Sequence, residues 1–145
     1  EKLGPEPLGN NFNSDYLKIK LSKKESPIKN VLLDQSIVAG LGNIYVCEAL
    51  FMSGISPKKK ASKISKNKCA ELVLNIRTIL ISAIEAGGSS LKDFTDIQGN
   101  PGYFQFDFYV YGRDNEWCKT TDCDRKIKRI FQSGRSSFYC PRCQR

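Results

Sequence analysis

Along most of this chain the apolar residues recur at three- and four-residue intervals, and near the end the beat shortens. Cys69, Leu72, Val73, Ile76, Ile79, Leu80 and Ala83 keep the helical interval and stop before Gly87-Gly88. They mark the clearest amphipathic helix of the sequence, with its apolar stripe facing a core. Upstream, Ile44, Cys47, Leu50 and Phe51 hold the same period as far as Gly54. Ile28, Val31 and Leu32 share one helical face ending near Asp34, with Ser26 as N-cap and Pro27 as first helical residue. Tyr16, Leu17, Ile19 and Leu21 suit a helix turn or an alternating strand, and a cap at Asn13 or Ser14 favours the helix. Then the period falls to two. Phe106, Phe108 and Val110 alternate as in a strand, and Ile127, Ile130 and Phe131 lead to a Ser133-Gly134 turn from which Phe138-Tyr139 return. The pattern predicts a mostly α-helical domain followed by a small β-hairpin.

The interruptions carry as much as the pattern. Gly40 and Gly42 break the helical period before Asn43 and permit close backbone approach to a partner. Helix, glycine-rich turn, helix is a DNA-binding outline, although such hairpins also serve as plain core. Asn43 stands where a helix begins, placed either to cap it or to face a phosphate held by the exposed N–H groups. Pro57 to Lys68 holds six lysines and no acid, which reads first as a solvated linker and second as a phosphate contact. The glycine-, serine- and aromatic-bearing stretch from Ser89 to Gln105 has the length of a functional loop. Gly4-Pro5-Glu6-Pro7 has linker composition, as though another segment came before it.

The hairpin lies between two pairs of cysteines. Cys118 and Cys123 precede it, Cys140 and Cys143 follow, and sixteen residues separate the pairs. Two close pairs joined by room for a hairpin is the spacing of one tetrahedral Zn²⁺. Two disulfides could use the same thiols, but nothing else in the chain looks secreted. Five of the sixteen intervening residues are Arg or Lys. They could be a solvated face, yet a hairpin too small to fold without its metal is better explained as presenting its charge to a polyanion. The chain of 145 residues carries a formal charge of +8, about +6 once four thiolates and one Zn²⁺ are counted, which favours nucleic acid or an anionic surface. The remaining cysteines, Cys47 and Cys69, read as buried free thiols of a reducing cytoplasm. There is no histidine, so the commonest general base is absent.

Together, Leu41-Gly42-Asn43-Ile44-Tyr45 and the four-cysteine ribbon make the chain resemble the formamidopyrimidine-DNA glycosylases. Leu3-Gly4-Pro5-Glu6-Pro7-Leu8, Glu48-Ala49-Leu50-Phe51, Pro101-Gly102-Tyr103-Phe104-Gln105, Val110-Tyr111-Gly112-Arg113 and Cys140-Pro141-Arg142-Cys143-Gln144 extend the likeness in family order. The resemblance covers the family's C-terminal part. It implies a linker over 1–13 after a β-sandwich domain, a helix-two-turn-helix domain over 14–110 with a lesion-capping loop over 89–105, and a zinc finger over 111–145. It implies one structural Zn²⁺ on Cys118, Cys123, Cys140 and Cys143. It implies DNA contacts from Lys24, Asn43, Tyr111 and Arg135, the last also assigned in the family as proton donor in the final elimination. A guanidinium, which holds its proton throughout the ordinary pH range, suits a phosphate fork better than proton donation.

The family excises oxidised purines from double-stranded DNA and cleaves at the abasic site, using an N-terminal proline as nucleophile. Pro5 and Pro7 are internal here, so the expectation is the DNA-binding portion of a bacterial cytoplasmic repair enzyme, monomeric, associated with the nucleoid, and inactive by itself. A free-standing DNA-binding module and an endonuclease VIII-like enzyme for oxidised pyrimidines are the alternatives. The first cysteine pair departs from the pattern, with four residues between its members where many relatives have two.

Overall fold

A computed structural model describes residues 2–86 and 107–145. The capping-loop expectation for 89–105, and Phe106, lie outside the described residues. Among the described residues four α-helices come first: α1 (Ser14–Ser22), α2 (Ile28–Leu33), α3 (Asn43–Met52) and α4 (Lys66–Glu85), with a 3₁₀ turn at Ala61–Lys63. Two antiparallel strands, β1 (Lys128–Gln132) and β2 (Arg135–Tyr139), close the chain as a hairpin. The expectation of a helical domain followed by a β-hairpin is met.

Local chemistry accounts for the element ends. Asn13 caps α1, its side-chain oxygen accepting from the Tyr16 N–H at 2.9 Å, and Ser65 caps α4 by accepting from the Lys68 N–H. In α2 the frame differs by one residue from the expectation. Pro27 is the N-cap and Ile28 the first helical residue, because the Pro27 backbone is extended and forms an isolated bridge with Lys60. That bridge also ties part of the lysine-rich stretch into the structure. Between α2 and α3 the chain turns through Gly40, whose φ of +75° is a left-handed conformation, and the Gln35 side chain accepts from its N–H at 2.7 Å.

Two hydrophobic cores result. The larger collects Leu17, Leu21, Ile28, Leu32, Val46, Leu50, Leu72 and Ile76 from all four helices. The smaller joins Cys47 of α3 to Val110, Cys118, Ile127, Phe138 and Cys140 of the C-terminal module. Tyr45 to Leu50 are consecutively buried, so α3 is covered on all sides rather than on one stripe. It is the wall shared by both cores. The exit of the helical domain is fixed to it by Glu48, whose buried carboxylate accepts from the N–H groups of Tyr109 (2.7 Å), Val110 (2.9 Å) and Tyr111 (2.9 Å).

Residues 107–110 are therefore not a strand, against the alternation of Phe106, Phe108 and Val110. Three successive N–H groups converge on one carboxylate, an arrangement a ladder cannot offer, since its N–H groups point alternately to opposite sides. Glu48→Gln preserves volume but turns an acceptor oxygen into an NH₂ that faces a backbone N–H. We expect a loss of about 2–4 kcal/mol in denaturant unfolding. Amide hydrogen exchange at 109–111 should rise to match; unchanged protection there would contradict the assignment.

Candidate metal centre and nucleic-acid interface

The two cysteine pairs meet as the spacing requires. The four Sγ atoms lie within 4.8 Å of one another, with Cys118 to Cys143 at 3.8 Å and Cys123 to Cys140 at 3.7 Å. Four sulfurs around a zinc at 2.3 Å would be separated by about 3.8 Å. The donor set fits Zn²⁺, and no disulfide joins these cysteines. Backbone geometry brings the pairs in: Asp122 takes a left-handed φ of 65° just before Cys123, and the Cys143 N–H donates to Cys140 Sγ.

The thiols are not equivalent. Burial, offset in part by hydrogen bonding from the Cys143 and Arg142 backbone, pushes Cys140 up to about 12. Burial also raises Cys118, but hydrogen bonding to Thr120 and the neighbouring thiols outweighs it and brings the group to about 7. A divalent cation among the sulfurs would hold the cluster as thiolates.

The hairpin tip is gripped from the helical side. Ser133 and Gly134 both adopt positive φ, 52° and 79°, the two-residue turn that matches strand twist, and Gln132 pairs with Arg135 across it. The Asn30 side-chain amide donates to Ser133 Oγ at 2.9 Å, steadying the non-glycine residue of that turn. Asn43 donates to the Ser136 carbonyl at 3.0 Å. This replaces the capping role: Gly42 is the N-cap of α3, Asn43 is its first residue, and the side chain reaches across to the hairpin instead. No side-chain cap closes the first turn of α3.

Lys29 lies beneath the same strand, fully buried, with Nζ 2.5 Å from Ser137 Oγ and 3.3 Å from the Ser136 carbonyl. Ser137 in turn donates to Gln132 at 2.6 Å, and Gln132 to the Pro57 carbonyl at 3.1 Å. Burial pushes the Lys29 ammonium below the usual lysine range; the nearby Cys47 acts the other way and the Arg135 charge adds to the depression. Among the described residues no carboxylate pairs with either Lys29 or Arg135. Two uncompensated cations and two buried, unpartnered carboxamide oxygens, Asn30 Oδ1 and Asn43 Oδ1, thus surround an exposed hairpin tip.

Of the four sequence-predicted contact residues, the fold brings Asn43 and Arg135 to one place. Tyr111 sits a short way off, its ring edge-on to Phe138 of β2 at 5.0 Å between centroids. Lys24 is exposed beyond the end of α1, where its charge helps hold Asp34 below the usual carboxylate range after the hydrogen bonds from Ser36. Among the described residues no hydrogen bond or ion pair joins its side chain to Asn43 or Arg135. Glu48, Lys29 and Asn30 are the functional positions that periodicity passes over. The visible signal is a charge set among apolar neighbours, Cys47-Glu48-Ala49 and Ile28-Lys29.

The fold and the thiol cluster define a helix-two-turn-helix domain carrying a four-cysteine zinc finger. The family model described as the formamidopyrimidine-DNA glycosylase H2TH domain matches residues 3–95, and the zinc finger found in FPG and IleRS matches residues 121–145. The chain belongs to the formamidopyrimidine-DNA glycosylase family. It is 59% identical over 143 residues to the formamidopyrimidine-DNA glycosylases of Ruegeria pomeroyi and of Dinoroseobacter shibae, covering 99% of this chain and 50% of each relative. Among solved structures it is similar to the Lactococcus lactis enzyme non-covalently bound to DNA containing an AP site (TM-score 0.83, 37% identity, 99% of this chain and 50% of that one). The Thermus thermophilus enzyme matches with TM-score 0.83 and 39% identity over 98% of this chain and 53% of that one. The chain spans about half the length of the curated relatives it matches.

Chelation should separate the two parts of the molecule. Removing Zn²⁺ with a strong chelator is expected to release the β1–β2 hairpin while α1–α4 keep their helical circular dichroism. Elemental analysis should return one zinc per chain. An intact hairpin in metal-free protein would disprove the structural role of the ion.

Proposed function

We propose that this chain is the DNA-holding portion of a formamidopyrimidine-DNA glycosylase, acting as a monomer on duplex DNA that contains oxidised purines or abasic sites. The observation that carries the reading is the hairpin tip. Arg135 is exposed beside the two-residue turn, Asn43 and Lys29 lie behind it, and among the described residues no acid answers the charge. A planar guanidinium so placed takes two phosphate oxygens at once. The uncapped first turn of α3 adds oriented N–H groups to the same side. Lys24 and Tyr111 extend the contact along the backbone of the duplex. Among similar structures, Lactococcus lactis proteins have been solved with abasic-site DNA and with Fapy-dG-containing DNA, in keeping with this reading.

The family's expected nucleophile, an N-terminal proline amine, has no counterpart in Pro5 or Pro7, which are internal and have no free secondary amine. Borohydride trapping of the chain on 8-oxoguanine or abasic-site duplex should therefore yield no covalent adduct. Capture would show that the nucleophile lies elsewhere in this chain.

Arg135→Ala should weaken duplex binding by about 1–3 kcal/mol and leave zinc content intact. Because a phosphate contact is sequence-independent, the loss should be similar across sequences and should lower the salt slope by roughly one. Arg135→Lys should recover part of the charge but not the fork. Lys60, which is exposed and faces Glu25 at 3.9 Å, is the control. Equal affinities and slopes for Arg135→Ala and Lys60→Ala would remove the special role of Arg135.

A further inference from the structure

The hairpin carries a second cationic feature, on the pleat opposite Arg135. Phe131 is 70% exposed, an unusual setting for a phenyl ring on a strand. The Arg129 guanidinium lies over that ring at 4.8 Å and within 5.9 Å of the Phe138 ring, and its Nε donates to Ser136 Oγ at 2.9 Å. It is thus pre-ordered by two rings and one hydroxyl. Among the described residues no carboxylate neutralises it. The same pairing of an exposed aromatic with an unneutralised cation recurs where the hairpin begins, with Lys126 Nζ 4.9 Å over the 61% exposed Trp117.

These features select a partner. An exposed phenyl ring alone would suit any apolar surface, including a second copy of this chain. An ordered, unpaired guanidinium beside it calls for an anion next to an apolar face. The strand of a DNA duplex offers that alternation, deoxyribose and phosphate in turn. The register sets the placement: Gln132 pairs with Arg135, and Arg129 with Phe138, three rungs further from the tip and on the other face, so the two guanidiniums meet different stretches of backbone.

Resting on the DNA-holding function proposed above, we infer that Arg129 and Phe131 form a second backbone-binding site, with the phenyl ring against a deoxyribose and the guanidinium on a neighbouring phosphate. It lies on the face of the hairpin opposite Arg135 and takes a different phosphate. The two residues contribute differently. Arg129 adds a counterion-releasing contact, whereas Phe131 adds an apolar contact that salt does not weaken.

That difference supplies the test. Duplex affinity of the zinc-loaded chain is measured by fluorescence anisotropy over a series of KCl concentrations, with zinc content and far-UV circular dichroism as checks on folding. Phe131→Ala should weaken binding by roughly five- to tenfold, the effect of losing part of a ring's burial. The loss should be equal at every salt concentration, displacing the line of log affinity against log salt in parallel. Arg129→Ala should lower the affinity and also reduce the slope by roughly one. Phe131→Leu, which keeps apolar bulk on an exposed strand position, should recover part of the loss. If Phe131→Ala binds like the unsubstituted chain while Arg135→Ala is weakened, this second site is wrong and the DNA-holding function stands. If Phe131→Ala alters only self-association in sedimentation, the ring serves a protein contact and the inference is overturned. Absence of salt-dependent binding by the unsubstituted chain would remove both proposals together.

Discussion

The hairpin that bears Arg135 cannot hold itself together, and much of the C-terminal architecture answers that constraint. Two five-residue strands bury too little to offset the entropy of ordering them. Order is imposed at both ends. At the base, four thiols gather into one metal-sized cluster. At the tip, side chains from α2 and from the start of α3 take hold of Ser133, Ser136 and Ser137. The metal end supplies folding energy, and the polar end fixes direction. Arg135 lies at the directed end, next to the serines that are held.

Central helix α3 makes the two ends one object. Its Leu50 belongs to the helical core, its Cys47 to the core under the zinc module, and its Glu48 to the segment that enters that module. The C-terminus returns to the same region: Gln144 is buried with its amide on the Ile55 carbonyl, and Arg145 exchanges backbone hydrogen bonds with the chain at Gly54 and Ser56. The zinc module is therefore seated on the helical domain through apolar contacts, one carboxylate and a backbone pairing, rather than hung from a linker.

Periodicity made the helices legible because their burial is one-sided, as in α4, where Leu72, Val73 and Ile76 face inward and Leu74 and Ile81 remain exposed. It succeeded less well where burial is two-sided or where a polar group organises the backbone. The alternation of Phe108 and Val110 suggested a strand, but the N–H groups there answer to Glu48, a residue sixty-one positions from Tyr109 in sequence. Spacing identified the metal site because thiol geometry is local within each pair. The grip of Lys29 and Asn43 on β2 spans more than ninety residues, and no pattern in a single chain encodes such a contact. Asn43 was legible as a special position, though its partner was not.

The stretch of linker composition near the N-terminus behaves differently from its makeup. Gly4 lies so close to α2's exit that a Cβ there would stand 2.5 Å from the Ile37 carbonyl oxygen, while its N–H donates to Gln35 and the Pro5 carbonyl accepts from Ala39. Arg77 of α4 then spreads its guanidinium over the carbonyls of Pro7, Gly9 and Phe12. In mechanical terms this makes the segment a strut and not a swivel. A torque applied at Leu3 would be delivered to the turn that leads into α3 and to the flank of α4.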